Sequence, residues 1–474
     1  MTRRLLVRGG YVLTMDPSIA DLPVGDVLIE DDRIVSVGRS IDAGDADVID
    51  ATGHVVAPGL VDTHRHTWQT QLRAICADWS LVDYVYGIRL AISPAYRAPD
   101  VHLGNRLGAL EALNAGVTTI LDFSHCNNTP DHADAAVAGL RDAGIRAVFG
   151  YGFFESDPAA PPHFRTHAER LADFDRLAGA QFASADGLLT LGVALTELGM
   201  VPFEASKAEI EAARAHDALI ASHTGAVWSA PSGVTQLAAA DLLGPDQVHV
   251  HCNTVTDDEW RLLSGAGAKV SISPETELNM GMGRPVFAAC RAHHVKPTLS
   301  CDIISLNSGD LLSQARLGLG FARWAETEHV NLAGADPVKV TITAREALEW
   351  ATINGADALG LAHRIGSITP GKQADLILVG GPQLTQHPHL DPAGTLVFQT
   401  NPHDVRTVLV AGRVVKRDGV LVGVDLPALL ADADRGAEQI LERVRAAVPN
   451  LPATPPEGFA ALALNRRAHL VEGV

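Results

Sequence analysis

Between about residue 58 and residue 365 the chain alternates apolar strand-like runs with amphipathic helical stretches, and this constrains the fold more than any other feature. The strand candidates are VVAPGLVDTH, VTTILDF, RAVFGYGF, LLTLGVAL, ALIASHTG, QVHVHC, AKVSIS and PTLSCD. Stretches such as HADAAVAGLRDAG, SKAEIEAARAHD, TDDEWRLLSGAG and GRPVFAACRAHH lie between them. Parallel strands need long crossovers, which helices supply while covering the sheet. Eight such units predict a closed (β/α)8 TIM-like barrel. An open doubly wound sheet shares the alternation, but its first turn usually carries a glycine-rich phosphate loop. The turn after Val61 carries Asp62, His64 and His66 instead.

The flanks have a different texture. Residues 1–57 read as short strands (LLVRGGYVLT, DVLIEDDRIVSVG, ADVIDATGHVVAPG) broken by Gly and Asp turns. The same texture returns over 366–422, in SITPGKQADLILV and VRTVLVAGRVVKRDG. Both ends are expected to build one small β-sandwich domain beside a barrel over 58–365. Residues 423–474 read as a helical tail, with Leu429, Leu430, Ala433, Ala437, Ile440, Leu441 and Val444 on one face. That face is expected to pack on its own barrel, with a subunit contact as the alternative.

Composition narrows the partners. Of 474 residues 47% are hydrophobic and 20% charged, which suits a globular chain with a large core. A formal net charge of −19 repels nucleic-acid phosphates and anionic lipid, so neither is expected as a partner. The basic start reaches Gly9, Gly10 and Asp16 before a signal-peptide core can form, and no long uncharged run reads as a membrane span. Cys76, Cys126, Cys252, Cys290 and Cys301 have no C-x-x-C spacing and lie in apolar stretches, as buried thiols of a reducing compartment do. A cytoplasmic location is expected.

The chemistry is concentrated at strand ends. Residues two apart on a strand point the same way, so His64 and His66 in DTHRH present two imidazoles to one point while Arg65 faces away. His223 in ALIASHTG, His251 in QVHVHCN and Asp302 in PTLSCD stand at later strand ends. Barrel enzymes gather catalytic residues on that C-terminal face. Imidazole and carboxylate donors suit zinc, iron or manganese, with a position left open for water. Such an ion lowers the pKa of bound water toward neutrality, and the resulting hydroxide attacks a trigonal carbon, with Asp302 shuttling the proton.

These motifs together resemble the amidohydrolase superfamily, in the branch with cytosine deaminase, adenosylhomocysteine deaminase and the triazine hydrolases. PGLVDTHRH, GVTTILD, VHVHC, the PETELNMGMG run, SCD and ATINGADALGLAHRIGSITPGKQADLILV carry the likeness from residue 1 to about 420. The resemblance implies metal binding by His64, His66, His223 and Asp302, with His251 orienting the hydroxide or polarising the substrate. It also implies a homo-oligomer, dimer or tetramer. Binuclear members carry a carboxylated lysine at the end of strand four, but LLTLGVALTELG has none, and Lys207 falls in the next helix. One divalent ion is implied, Zn2+ first, then Fe2+ or Mn2+.

Two departures bear on substrate. The deaminases of this branch place a proton-donating glutamate three residues after the strand-five histidine, where this chain has Ala226. Their H-C-P-x-S-N motif is here Ile272 to Glu277, so Glu275 or Glu277 is the candidate replacement acid. Ring deamination needs a proton on the ring nitrogen, whereas amides, ureas and thiocarbamates carry a carbonyl that can be polarised directly. The expected function is therefore hydrolysis of a non-peptide carbon–nitrogen bond in a small, mostly neutral, possibly aromatic amide, urea or carbamate. A heteroaromatic deaminase or dechlorinase, and a non-catalytic metal-dependent binding protein, are the alternatives.

Weaker candidates surround this set. His125, Trp68, Asn307, Glu275 and Glu277 are candidate substrate contacts. Trp79 and Tyr84 belong with Trp68 to a segment able to lid the pocket, or to pack on the barrel top. Asp122 is a candidate partner for a metal-bound histidine or a turn residue. Ser305 accompanies Asn307, and Ser308 either touches substrate or caps the following helix. His249 is read as barrel packing, and His293 and His294 as a helix end.

Overall fold

The computed structural model describes residues 3–154, 163–182, 187–448 and 451. The amino-terminal strands are β1 (Arg4–Val12), β2 (Leu22–Glu30), β3 (Arg33–Gly38), β4 (Asp47–Asp50) and β5 (His54–Pro58). Eight parallel strands follow: β6 (Leu60–Arg65), β7 (Val117–Ser124), β8 (Arg146–Gly152), β9 (Leu189–Ala194), β10 (Leu219–Thr224), β11 (Gln247–His251), β12 (Lys269–Ile272) and β13 (Pro297–Leu299). They hydrogen-bond in chain order, and a bridge between Arg65 and Asp302 joins last to first. The barrel expected from the alternation is therefore present, with helices such as Pro130–Ala143, Phe203–Ala215 and Asp257–Ala266 as crossovers.

The first strand differs from its expected extent. VVAPGLVDTH is not one strand, because the chain passes from one sheet to the other at Gly59. A Cβ there would stand 2.1 Å from Thr118 Oγ1, so only glycine lets β6 pack so closely against β7. Upstream of that point β5 belongs to the outer sheet. There β14 (Leu376–Gly380) pairs antiparallel with β5 from Leu376 opposite Pro58 to Gly380 opposite His54. With β15 (Val405–Val410), β16 (Arg413–Arg417) and β17 (Val420–Leu421) the two chain ends form one nine-stranded mixed sheet. Its separate core includes Val7, Val27, Ile34, Val56, Leu376 and Leu409.

The barrel interior is layered. Val61, Leu121, Phe123, Val148, Ala194, Ala221 and Val248 form an apolar layer, plugged by Ala356, Leu359, Leu361 and Ile365 from the ATINGADALGLAHRIG motif. Inside the wall between β12, β13 and β6, Thr63 Oγ1 lies 2.7 Å from both Ser271 Oγ and Thr298 Oγ1. Buried hydroxyls are thus mutually satisfied. The carboxy-terminal helix Leu426–Ala447 buries Leu429, Gly436, Ile440 and Val444 on its own chain, as expected, while Leu430 is exposed. Asp310 caps the helix Leu311–Leu332, accepting from Leu312 N, so the cap is two residues beyond Ser308. A carboxylate placed there accepts a helical N–H more readily than the upstream hydroxyl can reach it. His293 follows the helix Phe287–Ala292 and pairs with Asp257 at 2.8 Å. No helix among the described residues is long and apolar enough to cross a membrane.

Candidate metal centre

Closure of the barrel builds the site. His66 N donates to Asp302 O at 2.9 Å and Asp302 N donates to His64 O at 3.0 Å, so residues more than 230 apart share one ladder. The chain then turns sharply: His251, Cys252 and Asp302 have φ of 74°, 57° and 59°. Such left-handed backbone costs about 1–2 kcal/mol for a non-glycine residue, so the surrounding bonds must hold it in place. Cys252 N is held by Thr224 O at 2.9 Å.

Five side chains converge at the mouth. Asp302 Oδ1 lies 3.1 Å from His64 Nε2 and 3.4 Å from His66 Nε2, and Asp302 Oδ2 is 3.9 Å from His251 Nε2. Nitrogens of His64, His66 and His223 lie within 4.8 Å of one another, as do the ligand atoms of His64, His251 and Asp302. Ligands about 2.1 Å from one tetrahedral ion stand roughly 3.4 Å apart, close to the separations found here. The donor set fits a single divalent ion.

The outer ring nitrogens fix how the rings face. His66 Nδ1 lies 2.9 Å from Phe123 O, and since a carbonyl only accepts, Nδ1 carries the proton and Nε2 is left as a lone pair. His223 Nδ1 meets Glu197 Oε2 at 3.2 Å, and His251 Nδ1 meets Glu277 Oε1 at 3.2 Å. Histidine ligands are oriented in this way by carboxylates and carbonyls. His64 Nδ1 is buried without a partner among the described residues.

The electrostatics favour neutral imidazoles facing an anion. Burial pulls His64 down to about 4 and His66 well below the ordinary histidine range. Asp302 is also buried, yet the hydrogen bond and charge of His64, with His251 and His66, hold it well below the usual carboxylate range. His251 is opposed by burial, but Glu277 and Asp302 together keep its pKa raised. Neutral nitrogen and ionised oxygen are the forms a metal requires.

Above these groups lies a cavity of about 280 Å³. His66, His223, His251 and Asp302 are on its inner wall, and Leu81, Val85, Leu90, Leu198, Met200, Val227, Met280, Met282 and Ile303 make the rest largely apolar. Ala226 lines it too.

None of the five expected substrate contacts lies on that wall. Trp68 is fully buried and its indole N–H donates to His125 Nδ1 at 3.0 Å. His125 stacks behind His66 with ring centroids 4.1 Å apart. Asn307 braces the wall residue Thr276 through Oγ1 at 2.6 Å. Glu275 is held by Gln314 Nε2 at 2.7 Å, and Glu277 is buried against His251 and Ser273 N. Trp68, His125, Asn307 and Glu277 face inward because their hydrogen-bond partners lie in the packed layer beneath the wall, whereas Glu275, half-buried, lines a separate surface groove with Ser313 and Trp324.

Of the remaining candidates, Tyr84 does line the cavity, and Gln69 links it to Ser305. Trp79 packs against the Gly87 backbone. Asp122 accepts from Thr67 N and Asn105 Nδ2, anchoring the chain just after His66 rather than orienting a ring. His249 bonds Thr224 and Gln247 inside the barrel, in keeping with packing. Sequence reading missed Glu197 and Arg89, which are joined at 3.0 Å on the cavity wall. The signal for Glu197 is the lone acid in LTELG just past β9, the fourth barrel strand.

The comparisons agree with this architecture. A 5'-deoxyadenosine deaminase of Methanosarcina barkeri is 28% identical over 453 residues, 93% of this chain and 99% of that protein. A 5-methylthioadenosine/S-adenosylhomocysteine deaminase of Symbiobacterium thermophilum is 30% identical over 92% of this chain and 99% of its own length. Among solved structures, an adenosine deaminase from Xanthomonas campestris with bound zinc superposes with a TM-score of 0.81 at 25% identity, covering 94% of this chain and 99% of that one. An atrazine chlorohydrolase from Arthrobacter aurescens complexed with zinc shares the fold, with a TM-score of 0.81 at 21% identity over 91% of this chain and all of that one. The Amidohydrolase family model matches residues 55–415, spanning the barrel and the outer-sheet strands β14 and β15 that follow it, and this chain belongs to that family.

Proposed function

We propose that the chain is a hydrolase of non-peptide carbon–nitrogen bonds, acting on a small, mostly neutral amide, urea or carbamate with the help of one divalent ion, zinc first. The observation that carries this reading is the convergence of His64, His66, His223, His251 and Asp302 beneath an apolar cavity. His64, His66, His223 and Asp302 would hold the divalent ion, which when bound would supply Lewis acidity and lower the pKa of water toward neutrality. His251, braced by Glu277, stands where it can donate to a substrate oxygen. Asp302 Oδ2, facing His251, is placed to receive a proton from water and pass it to the leaving nitrogen. The apolar wall excludes bulk water from these transfers.

Carbonyl substrates stand ahead of aminoheterocycles because the wall offers no replacement for the acid missing at Ala226. Its carboxylates are Asp302 and Glu197, and Glu197 is bound by His223 and Arg89. The deaminase reading keeps one observation in its favour: the deaminases named above match over more than nine-tenths of the chain. A screen of ureas, anilides, carbamates and aminoheterocycles, scored for amine and for ammonia, separates the two. Amine without ammonia supports the carbonyl reading, ammonia from an aminoheterocycle replaces it with deamination, and neither product from any class contradicts both. Five buried free cysteines support a cytoplasmic location.

A further inference from the structure

Arg89 lies in the π-helical segment Val85–Ile92, a backbone form that recurs at functional sites. Its side chain is buried, yet it reaches the cavity wall, where it is the one lysine or arginine among the lining residues. Nη1 donates to Glu197 Oε1 at 3.0 Å, and the guanidinium carbon lies 3.8 Å from the centre of the Phe154 ring. Nε is buried and has no acceptor among the described residues.

Two other buried arginines of this chain, Arg65 and Arg146, are bonded through more of their nitrogens. Arg65 places Nε on Asp62, Nη1 on Gly108 O and Nη2 on Gly309 O, so every nitrogen is occupied. Arg146 gives both Nε and Nη2 to Asp375 at 2.9 Å. Such bonding relieves a buried arginine, because a buried donor without an acceptor costs about 1–3 kcal/mol. Among the described residues Arg89 is hydrogen-bonded through Nη1 only and is pinned in place by an ion pair and an aromatic face; Nε is enclosed, so the nitrogen left for an incoming acceptor is Nη2. Pre-set donors of this kind at a cavity wall serve an acceptor that arrives with a ligand.

Resting on the hydrolase reading above, we propose that Arg89 is the specificity-determining donor for an uncharged oxygen acceptor of the substrate, at the end of the molecule away from the bond that is cut. The position follows from the order of groups: Glu197 stands between Arg89 and His223, so an acceptor on Arg89 lies beyond the reacting centre. The lack of charge follows from Glu197, which already neutralises the guanidinium. In a wall that is largely apolar outside the metal site, with the Tyr84 and Thr276 hydroxyls as its other polar groups, this donor selects for aryl or alkyl compounds with one remote oxygen, such as a ketone or ether.

The test uses matched ligands on zinc-loaded protein. Acetophenone and ethylbenzene share one carbon skeleton and differ by one oxygen, and their dissociation constants are measured for wild type, Arg89→Lys, Arg89→Met and the double variant Arg89→Met with Glu197→Gln. The ratio of the two constants is expected to shift by about 10- to 100-fold against acetophenone in Arg89→Met, the range of a hydrogen bond to a charged group. Arg89→Lys should fall between. The double variant, which leaves no buried lone charge, should match Arg89→Met, so misfolding of the single variant does not remove the test. In parallel, kcat and KM are compared for 4'-acetylacetanilide and 4'-ethylacetanilide, where the loss should sit in KM for the acetyl compound. An unchanged ratio in a folded, zinc-loaded variant overturns the role of Arg89. Absence of anilide turnover in wild type speaks against the hydrolase reading alone, and the binding ratio still decides Arg89.

Discussion

The two ends of the barrel bury charge in opposite ways. At the floor, Arg146 at the start of β8 is clamped by both oxygens of Asp375, and Asp375 Oδ1 also accepts Ala411 N at 2.8 Å. Nearby, Lys416 Nζ donates to Asn114 O and Pro402 O, tying the outer sheet to the barrel helix Ala98–Asn114. At the mouth, the rings of His64, His66 and His251 crowd one carboxylate, His64 Nδ1 lacks a partner among the described residues and three residues near the site hold left-handed backbone. Charge that closes on itself holds two sheets together. Charge gathered with its lone pairs facing one point is arranged for something else, and stability is spent there to keep it so.

Substitutions at each end should therefore fail differently. His66→Ala at the mouth is expected to reduce turnover to background while leaving the thermal unfolding midpoint within a few degrees of wild type. A collapse of the fold would erase the distinction. Arg146→Met at the floor should do the reverse. Removing one partner of a buried pair costs about 3–5 kcal/mol, so denaturant unfolding should register that loss while zinc uptake by the folded fraction is unchanged. A cost under about 1 kcal/mol would show that the floor pair is not what joins sheet to barrel.

Smaller effects sharpen the contrast. Glu277→Leu and Glu197→Leu remove the carboxylates that orient His251 and His223, and each should lower zinc affinity or activity by about 10- to 100-fold. Competition with a chelator measures the loss at Glu197 and turnover of the zinc-loaded protein the loss at Glu277, and wild-type values in both would assign the rings' orientation to packing alone. The smallest effect is at Lys416, where burial lowers the pKa to about 8. Between pH 8 and 10.5 the unfolded chain keeps a proton that the folded chain has released, so stability gains from this group as pH rises through that window. The difference between wild type and Lys416→Gln should carry that slope. A flat difference would mean that the ammonium stays protonated at the floor.

What was legible in the sequence follows the same division. Strand periodicity exposed the eight barrel strands and, through strand ends, the side chains of His64, His66, His223, His251 and Asp302 that meet at the mouth. It did not expose partners set by loop geometry. Glu197 and Arg89 come from a loop and a π-helical turn 108 residues apart, and no period links them. Trp68 and Asn307 sit next to the right motifs but turn inward, because His125 and Thr276 hold them there. The switch of sheets at Gly59 was hidden in a continuous apolar run, since only its contact with Thr118 marks the break.

The central claim is that the mouth holds one ion. Metal content of purified, zinc-loaded protein, measured for wild type and Asp302→Asn, tests it directly. The account predicts about one zinc per chain in wild type and a marked loss in the variant. Two ions per chain, none, or equal content in both proteins would contradict it.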